Sequence, residues 1–142
     1  MIMYRNRSLV ILLAAAVLIA AVGYLALRPA SAEGVVDHKA ITGTRDSTSH
    51  TIATITDTGI NVEDPEFAED LKDSTAVDEA LAHRLDSMYD EINYIVSVRT
   101  SEGTMAYFVS REDYNRVSIG DDIRFEILRF KTTTIRITQI LG

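Results

Sequence analysis

The sequence contains no cysteine, and this absence removes several kinds of chemistry. Disulfides, iron–sulfur clusters, thiolate zinc sites and cysteine nucleophiles are all excluded. Neither a Gly-x-Gly-x-x-Gly nor a Walker sequence occurs, so nucleotide binding has no motif to support it. No Gly-x-Ser-x-Gly stretch supplies a serine nucleophile. We therefore expect a protein that is not an enzyme and that carries no cofactor.

Basic residues are scarce beyond residue 32, where the chain has eleven basic and 21 acidic residues. The imbalance is concentrated in 63–91, which holds eleven acids and two basic residues, Lys72 and Arg84. Phosphate binding needs the opposite sign of charge, so we expect no nucleic-acid partner. High acidity is also common in proteins that stay soluble in salty surroundings, and that explanation stays open.

One long hydrophobic run, Leu9–Leu27, contains no charged residue. As an α-helix it would span roughly 28 Å, close to the hydrocarbon thickness of a bilayer. Arg5 and Arg7 precede the run and only Arg28 follows, which predicts a single-pass cell-membrane protein with a cytoplasmic N-terminus and an extracytoplasmic domain. The residues expected to face lipid are Leu9, Leu12, Val17, Val22 and Leu27.

The segment after this run has two interpretations. Ala30-Ser31-Ala32 has the small-x-small form of a signal-peptidase site, whereas the length of the run favours a retained anchor, since signal peptides have shorter apolar regions. In both cases 1–32 is an anchor or signal-like segment and 33–142 a separate domain. Glu33–Asp37 is predicted to be a short linker that keeps this domain near the membrane surface.

The domain is predicted to be α+β, with two strands, one helix and four further strands. HKAITGTR and HTIATITDT flank a turn, and YIVSVRT, TMAYFVS, IRFEILRF and TTTIRITQIL follow the helix with a period of two. Short connections predict antiparallel neighbours throughout. A small OB- or SH3-like barrel would bury the apolar alternates and remove exposed edges, and an open sheet with the helix on one face is the alternative.

An acidic amphipathic helix is predicted over AVDEALAHRLDSMYDEI. Thr75 and Asp78 form a start like a capping box. Acidic residues lie off the apolar stripe and should form an exposed outer surface. The stripe consists of Val77, Leu81, Leu85, Met88 and Ile92.

Two weak metal sites are conceivable. His38 and His50 could face each other across the first hairpin and together bind a metal ion. Carboxylates before the helix would bind calcium loosely, although an acidic helix start favoured by the helix dipole explains the same residues. This acidic cluster comprises Glu63, Asp64, Glu66, Glu69, Asp70 and Asp73.

Charge is divided between two parts of the domain. Residues 63–91 are nine units negative, whereas 92–142 hold seven basic against six acidic residues. Such surfaces are suited to each other or to complementary surfaces on neighbouring proteins. The candidate partner-binding residues are Arg111, Tyr114, Arg116, Asp78, Glu79 and Asp86.

The string AYFVSREDYNRVSIGDDIRFEI, residues 106–127, resembles a pattern in small membrane-tethered bacterial and archaeal domain families of unknown function. In that pattern a strand, a short Ser-x-Glu-x-Tyr helical turn and a Gly-Asp turn lead to another strand. The resemblance implies that Ser110 caps the turn, that Tyr114 packs against the sheet and that Gly120 permits the second turn. It implies a membrane setting and no activity.

The sequence as a whole favours a non-catalytic accessory or stabilising subunit of a larger membrane protein complex. Its partners would be the lipid bilayer and other membrane-protein subunits, with no nucleotide. The alternative is an extracytoplasmic module, tethered or secreted, that binds a cation or a small ligand through the acidic region.

Overall fold

The computed structural model describes residues 30–72, 76–128 and 131–141, which form a small β-rich domain with few helices. The helical elements are a 3₁₀ turn at Pro65–Phe67, α1 (Ala68–Leu71), α2 (Glu79–Met88) and α3 (Arg111–Arg116). The strands are β1 (Ala30–Arg45), β2 (Thr48–Thr56), β3 (Gly59–Val62), β4 (Glu91–Thr100), β5 (Gly103–Val109), β6 (Asp122–Leu128) and β7 (Lys131–Ile140).

Five strands close into a barrel in the order β1-β4-β5-β7-β6, and β6 pairs again with β1. Closure is possible because β1 is 16 residues long: Ala30–Val35 pair with β6, and residues from Val35 onward pair with β4. Of the two predicted architectures, the closed barrel is confirmed and the open sheet was wrong. One prediction was wrong, since β5 and β7 run parallel where Phe108 meets Thr134.

Gly34 lies where β1 changes partner from β6 to β4. A Cβ atom there would come within 2.5 Å of Val98 Cγ1 and 2.8 Å of the Arg99 carbonyl oxygen. Both distances are shorter than real side chains tolerate, so only glycine allows β1 to approach β4 this closely.

Inward alternates of the strands fill the barrel, as the period of two predicts. The largest buried strand residues include Ile41, Val96, Val98, Ile123, Phe125, Ile135 and Ile137. The predicted linker at Glu33–Asp37 was wrong, because β1 begins at Ala30 and these residues are part of the barrel wall. Their alternation was hidden because Gly34 is followed by two consecutive valines, Val35 and Val36, which break the period of two.

The first hairpin turns at Asp46 and Ser47, which both have positive φ, of 52° and 63°. Two such residues form the tight turn that matches the twist of paired strands. β2 and β3 continue the sheet beyond β1. β3 was missed because its four residues are too few to show a period.

The predicted long helix is shorter than expected. Asp78 is itself the N-cap of α2 and accepts a hydrogen bond from Leu81 N, and the helix ends at Met88. Ile92, which was placed on the helix stripe, lies in β4. Val77, Leu81 and Leu85 are buried as predicted.

The two ends of the barrel differ. Strands β1, β5 and β7 run one way and β4 and β6 the other. Ala30, the turn 101–103, the end of β6 at Leu128 and the start of β7 at Lys131 therefore share one end, which we call the entry end. The other end, called the helix end, carries α2 before β4 and α3 after β5.

Among the described residues, no helix has the length and apolarity needed to cross a membrane. The apolar run and its five predicted lipid-facing residues, Leu9, Leu12, Val17, Val22 and Leu27, lie outside the described ranges.

Candidate functional site

Helix α2 is attached to the barrel through the backbone of Val77, the residue before its N-cap. The side chain of Asn115 on α3 accepts from Val77 N and donates to Val77 O, both at 2.8 Å. Arg111 Nη1 donates to the same carbonyl at 3.2 Å. Because all three bonds converge on the backbone of one residue, the start of α2 has a fixed position relative to α3.

A shallow groove of about 590 Å³ lies between these two helices. Three of the six predicted partner-binding residues meet there, two acidic and one basic. Asp86 and Arg111 also face the half-buried Tyr94 from this side: burial raises the pKa of Tyr94, Asp86 raises it further and Arg111 opposes the shift. The lining residues are Glu79, Ala80, Ala82, His83, Asp86 and Arg111.

The other three predicted partner residues have roles inside the fold. Tyr114 is fully buried, so it presents no surface to a partner, and its ring lies 5.4 Å from that of Tyr94. Arg116 pairs with Asp113 at 3.2 Å. Asp78 caps α2. The buried position of Tyr114 assigns it to packing. Asp78 and Arg116 are exposed in addition to their contacts within the fold, and their part in partner binding stays a prediction.

Helix α3 is held over the barrel by Asp113, which is buried. Its Oδ2 accepts from Ile137 N in β7 at 3.0 Å, and its Oδ1 accepts from Arg116 Nη1. Ser110 caps the helix by accepting from Asp113 N at 3.1 Å, as the resemblance implied. Gly120 has a φ of 90°, which confirms the predicted turn.

The predicted acidic cluster is dispersed by contacts within the fold. Asp64 caps the 3₁₀ turn and accepts a hydrogen bond from the Tyr89 hydroxyl at 2.5 Å. Asp70 pairs with Arg84 at 2.6 Å, and Glu69 with Lys72 at 3.3 Å. Asp73 lies outside the described residues. Within the part of the chain that is described, no three His, Asp or Glu side chains converge on a metal position.

Glu63, Asp64 and Glu66 do line a second groove, of about 630 Å³, whose floor is the ring of Tyr89. Arg45 covers this ring at 4.5 Å, and burial together with the bond to Asp64 raises the pKa of the Tyr89 hydroxyl. The remaining lining residues are Arg45, Ser49, His50, Thr51, Pro65 and Met88.

The two histidines of the first hairpin do not face each other, so the conceivable site between them was wrong. His50 pairs with Gly43, whereas His38 lies at the far end of the β1–β2 ladder. His38 Nδ1 contacts Asp37 at 2.9 Å, and Arg99 lies 3.5 Å from the same carboxylate. Asp37 is the extra residue of a β-bulge against β4, and its carboxylate contacts both neighbours.

Lys39 is an unexpected member of the core, with a relative exposure of 2%. Its ammonium group donates to the Val117 carbonyl at 2.9 Å and lies 4.1 Å from the centre of the Tyr114 ring. Burial lowers its pKa to about 8, although Asp121 acts in the opposite direction. Sequence reasoning missed it because a lysine within a Thr- and Ile-rich strand normally faces solvent.

Comparison of the chain with protein-family models, curated proteins and solved structures finds no match. The geometry of the grooves and of the two barrel ends therefore carries the functional argument alone.

Proposed function

We propose that this protein is a non-catalytic accessory subunit of a membrane protein complex, tethered by Leu9–Leu27 and associating through the α2–α3 groove. The observation that carries the proposal is the attachment of α2 through Val77, which presents Glu79, Asp86 and Arg111 as a surface of fixed geometry. Association between proteins favours such preformed surfaces, because little side-chain and backbone freedom is lost on binding.

We assign the barrel to the OB type rather than the SH3-like type. Numbered along the chain, the five barrel strands are β1, β4, β5, β6 and β7, and around the barrel they follow the order 1-2-3-5-4. The third and fifth strands, β5 and β7, are parallel neighbours. Helix α3 connects the third strand, β5, to the fourth, β6. This is a five-stranded Greek-key barrel. The β2–β3 hairpin and α2 then form an insertion between the first two barrel strands.

The groove favours a partner that carries both charge signs, with an excess of basic groups. Glu79 and Asp86 supply two carboxylates and Arg111 one guanidinium, and the surrounding segment 63–91 adds further negative charge. Electrostatic complementarity of this kind selects partners and accelerates their encounter.

Cross-linking in native membranes followed by purification of the full chain tests the proposal. We expect one defined membrane-protein neighbour to be recovered, and the charge reversal Asp86→Arg to remove it. Glu102→Arg, an equal charge change at the exposed turn of the entry end, should leave recovery unchanged. A protein that purifies alone under all conditions would contradict the proposal.

The Tyr89 groove favours a second candidate function, the capture of a small cationic ligand. Its volume of about 630 Å³ is the size of a ligand site, and its rim holds carboxylates of Glu63 and Glu66. Calorimetry with calcium and magnesium separates the two candidates. Binding that is lost in Glu63→Gln would support this function, and its absence would leave the accessory-subunit proposal in place.

A further inference from the structure

The entry end of the barrel presents an exposed apolar side chain that belongs to the interior face. Met105 pairs with Val98, so both side chains point to the interior face, yet Val98 is fully buried and Met105 is 60% exposed. The Tyr107 hydroxyl lies beneath it, 3.6 Å from Met105 Sδ. Met105 is thus an interior-face side chain that the described residues leave largely exposed.

The turn beside Met105 has a defined shape. The Thr100 hydroxyl accepts from Glu102 N at 3.2 Å and donates to the Gly103 carbonyl at 3.3 Å. Residues 101–105 are all exposed. These bonds fix the turn that precedes Met105 at the tip of the barrel.

The chain enters the barrel at this same end. Ala30 is already paired with Ile127 of β6, and only two residues, Arg28 and Pro29, separate the apolar run from Ala30. An extended chain spans at most about 3.6 Å per residue, so a connection this short keeps the entry end close to the membrane surface. The domain then has little freedom to rotate its other end toward the bilayer.

Acidic residues are distributed unequally between the two ends of the barrel. The described residues of the entry end, namely 30–31, 100–105 and 126–128, include two acids, Glu102 and Glu126, and Glu126 is paired with Arg136. The helix end carries Glu79, Asp86, Asp90 and Glu91. Phosphates of lipid headgroups repel carboxylates, so this arrangement keeps most of the negative charge away from a bilayer.

From these four observations we propose that the entry end rests on the lipid headgroups, with Met105 in contact with the bilayer and the α2–α3 groove directed away from it. This inference rests on the membrane tether of the proposed function. An apolar side chain at the interface gains free energy by leaving water.

The absence of cysteine allows a direct test, because a single introduced cysteine can be labelled without ambiguity. The full chain is reconstituted in phosphatidylcholine vesicles that carry a headgroup-attached quencher. A fluorophore on Thr104→Cys, at the entry end, should be quenched several-fold more strongly than one on Ser87→Cys in α2.

Two apolar positions provide matched variants. Met105→Asp should reduce the quenching at Thr104→Cys, whereas Leu141→Asp, at the helix end and 43% exposed, should not. If the chain floats with the vesicles but both labels are quenched equally, the orientation is overturned and the tether stands. If the chain does not float with the vesicles, the tether and the orientation both fail.

Discussion

At the scale of single residues, the most unusual group is the buried ammonium of Lys39. A charged group inside a barrel loses its hydration, and the Val117 carbonyl and the Tyr114 ring replace only part of it. The charged form is therefore less stable in the folded state than in water, which explains the lowered pKa.

This shift predicts a pH-dependent stability. The pKa is about 8 when folded and 10.5 ordinarily, so between these values the unfolded chain binds more protons and stability rises with pH. The gain from pH 8 to pH 10 should be of the order of 2 kcal/mol. Denaturant unfolding at several pH values measures it.

Lys39→Met is the control for this effect, since it removes the titrating group and keeps an apolar stem of similar length. Its unfolding free energy should be nearly independent of pH between 8 and 10. Above about pH 10 the raised pKa values of Tyr94 and Tyr114 should make stability fall again. A parent protein with a flat profile from pH 8 to pH 10 would refute the assignment.

Asp113 gives a second prediction at this scale. Asp113→Ala leaves the buried Ile137 N–H without its acceptor, and such a loss costs about 1–3 kcal/mol. Glu112→Ala, at the exposed neighbouring position, should change stability by no more than about 0.5 kcal/mol. Thermal unfolding of both variants checks the difference, and equal effects would contradict it.

At the scale of elements, the attachment of α2 depends on one amide side chain. Asn115→Asp keeps the acceptor for Val77 N but replaces the donor to Val77 O with a charged oxygen. Backbone amides at the start of α2 should then exchange faster with solvent, while those of β4 and β6 remain protected. Hydrogen exchange measured by mass spectrometry resolves the two regions.

Asn61→Asp in the exposed strand β3 is the matched control. It introduces the same chemical change far from Val77, so α2 should exchange as in the parent protein. Uniformly faster exchange of α2 and the barrel in Asn115→Asp would show that the contact supports global stability rather than the position of this helix.

Elements with a sustained period were the ones that sequence predicted well. Ile123, Phe125, Ile135 and Ile137 alternate without interruption, and each lies in the core. The end of α2 was misplaced because Ile92 continues the helical spacing by coincidence, although its backbone is already in β4. Local patterns do not reveal where tertiary pairing ends a helix.

The candidate site was predicted only in part. Glu79, Asp86 and Arg111 were named from charge, but their meeting in one groove depends on Asn115, which contacts Val77 from 38 positions away. Such a contact has no signature in the sequence around either residue. Lys39 and Val117, 78 positions apart, illustrate the same limit.

At the scale of the whole molecule, barrel closure depends on Gly34. Gly34→Ala places a methyl group against Val98 and the Arg99 carbonyl, and we expect it to cost roughly 1–3 kcal/mol. Ser31→Ala, on the exposed part of the same strand, should have almost no effect. Melting temperatures of the two variants test this prediction, and similar values would contradict it.

The pairing of β1 with β6 also sets an order of events during biosynthesis. Ala30, Ser31 and Ala32 are hydrogen-bonded neighbours of Ile127, Glu126 and Phe125, so in the finished barrel these three residues are part of its wall. A peptidase needs them free and extended. A cut after Ala32 must therefore come before β6 pairs with β1, because the closed barrel protects this segment.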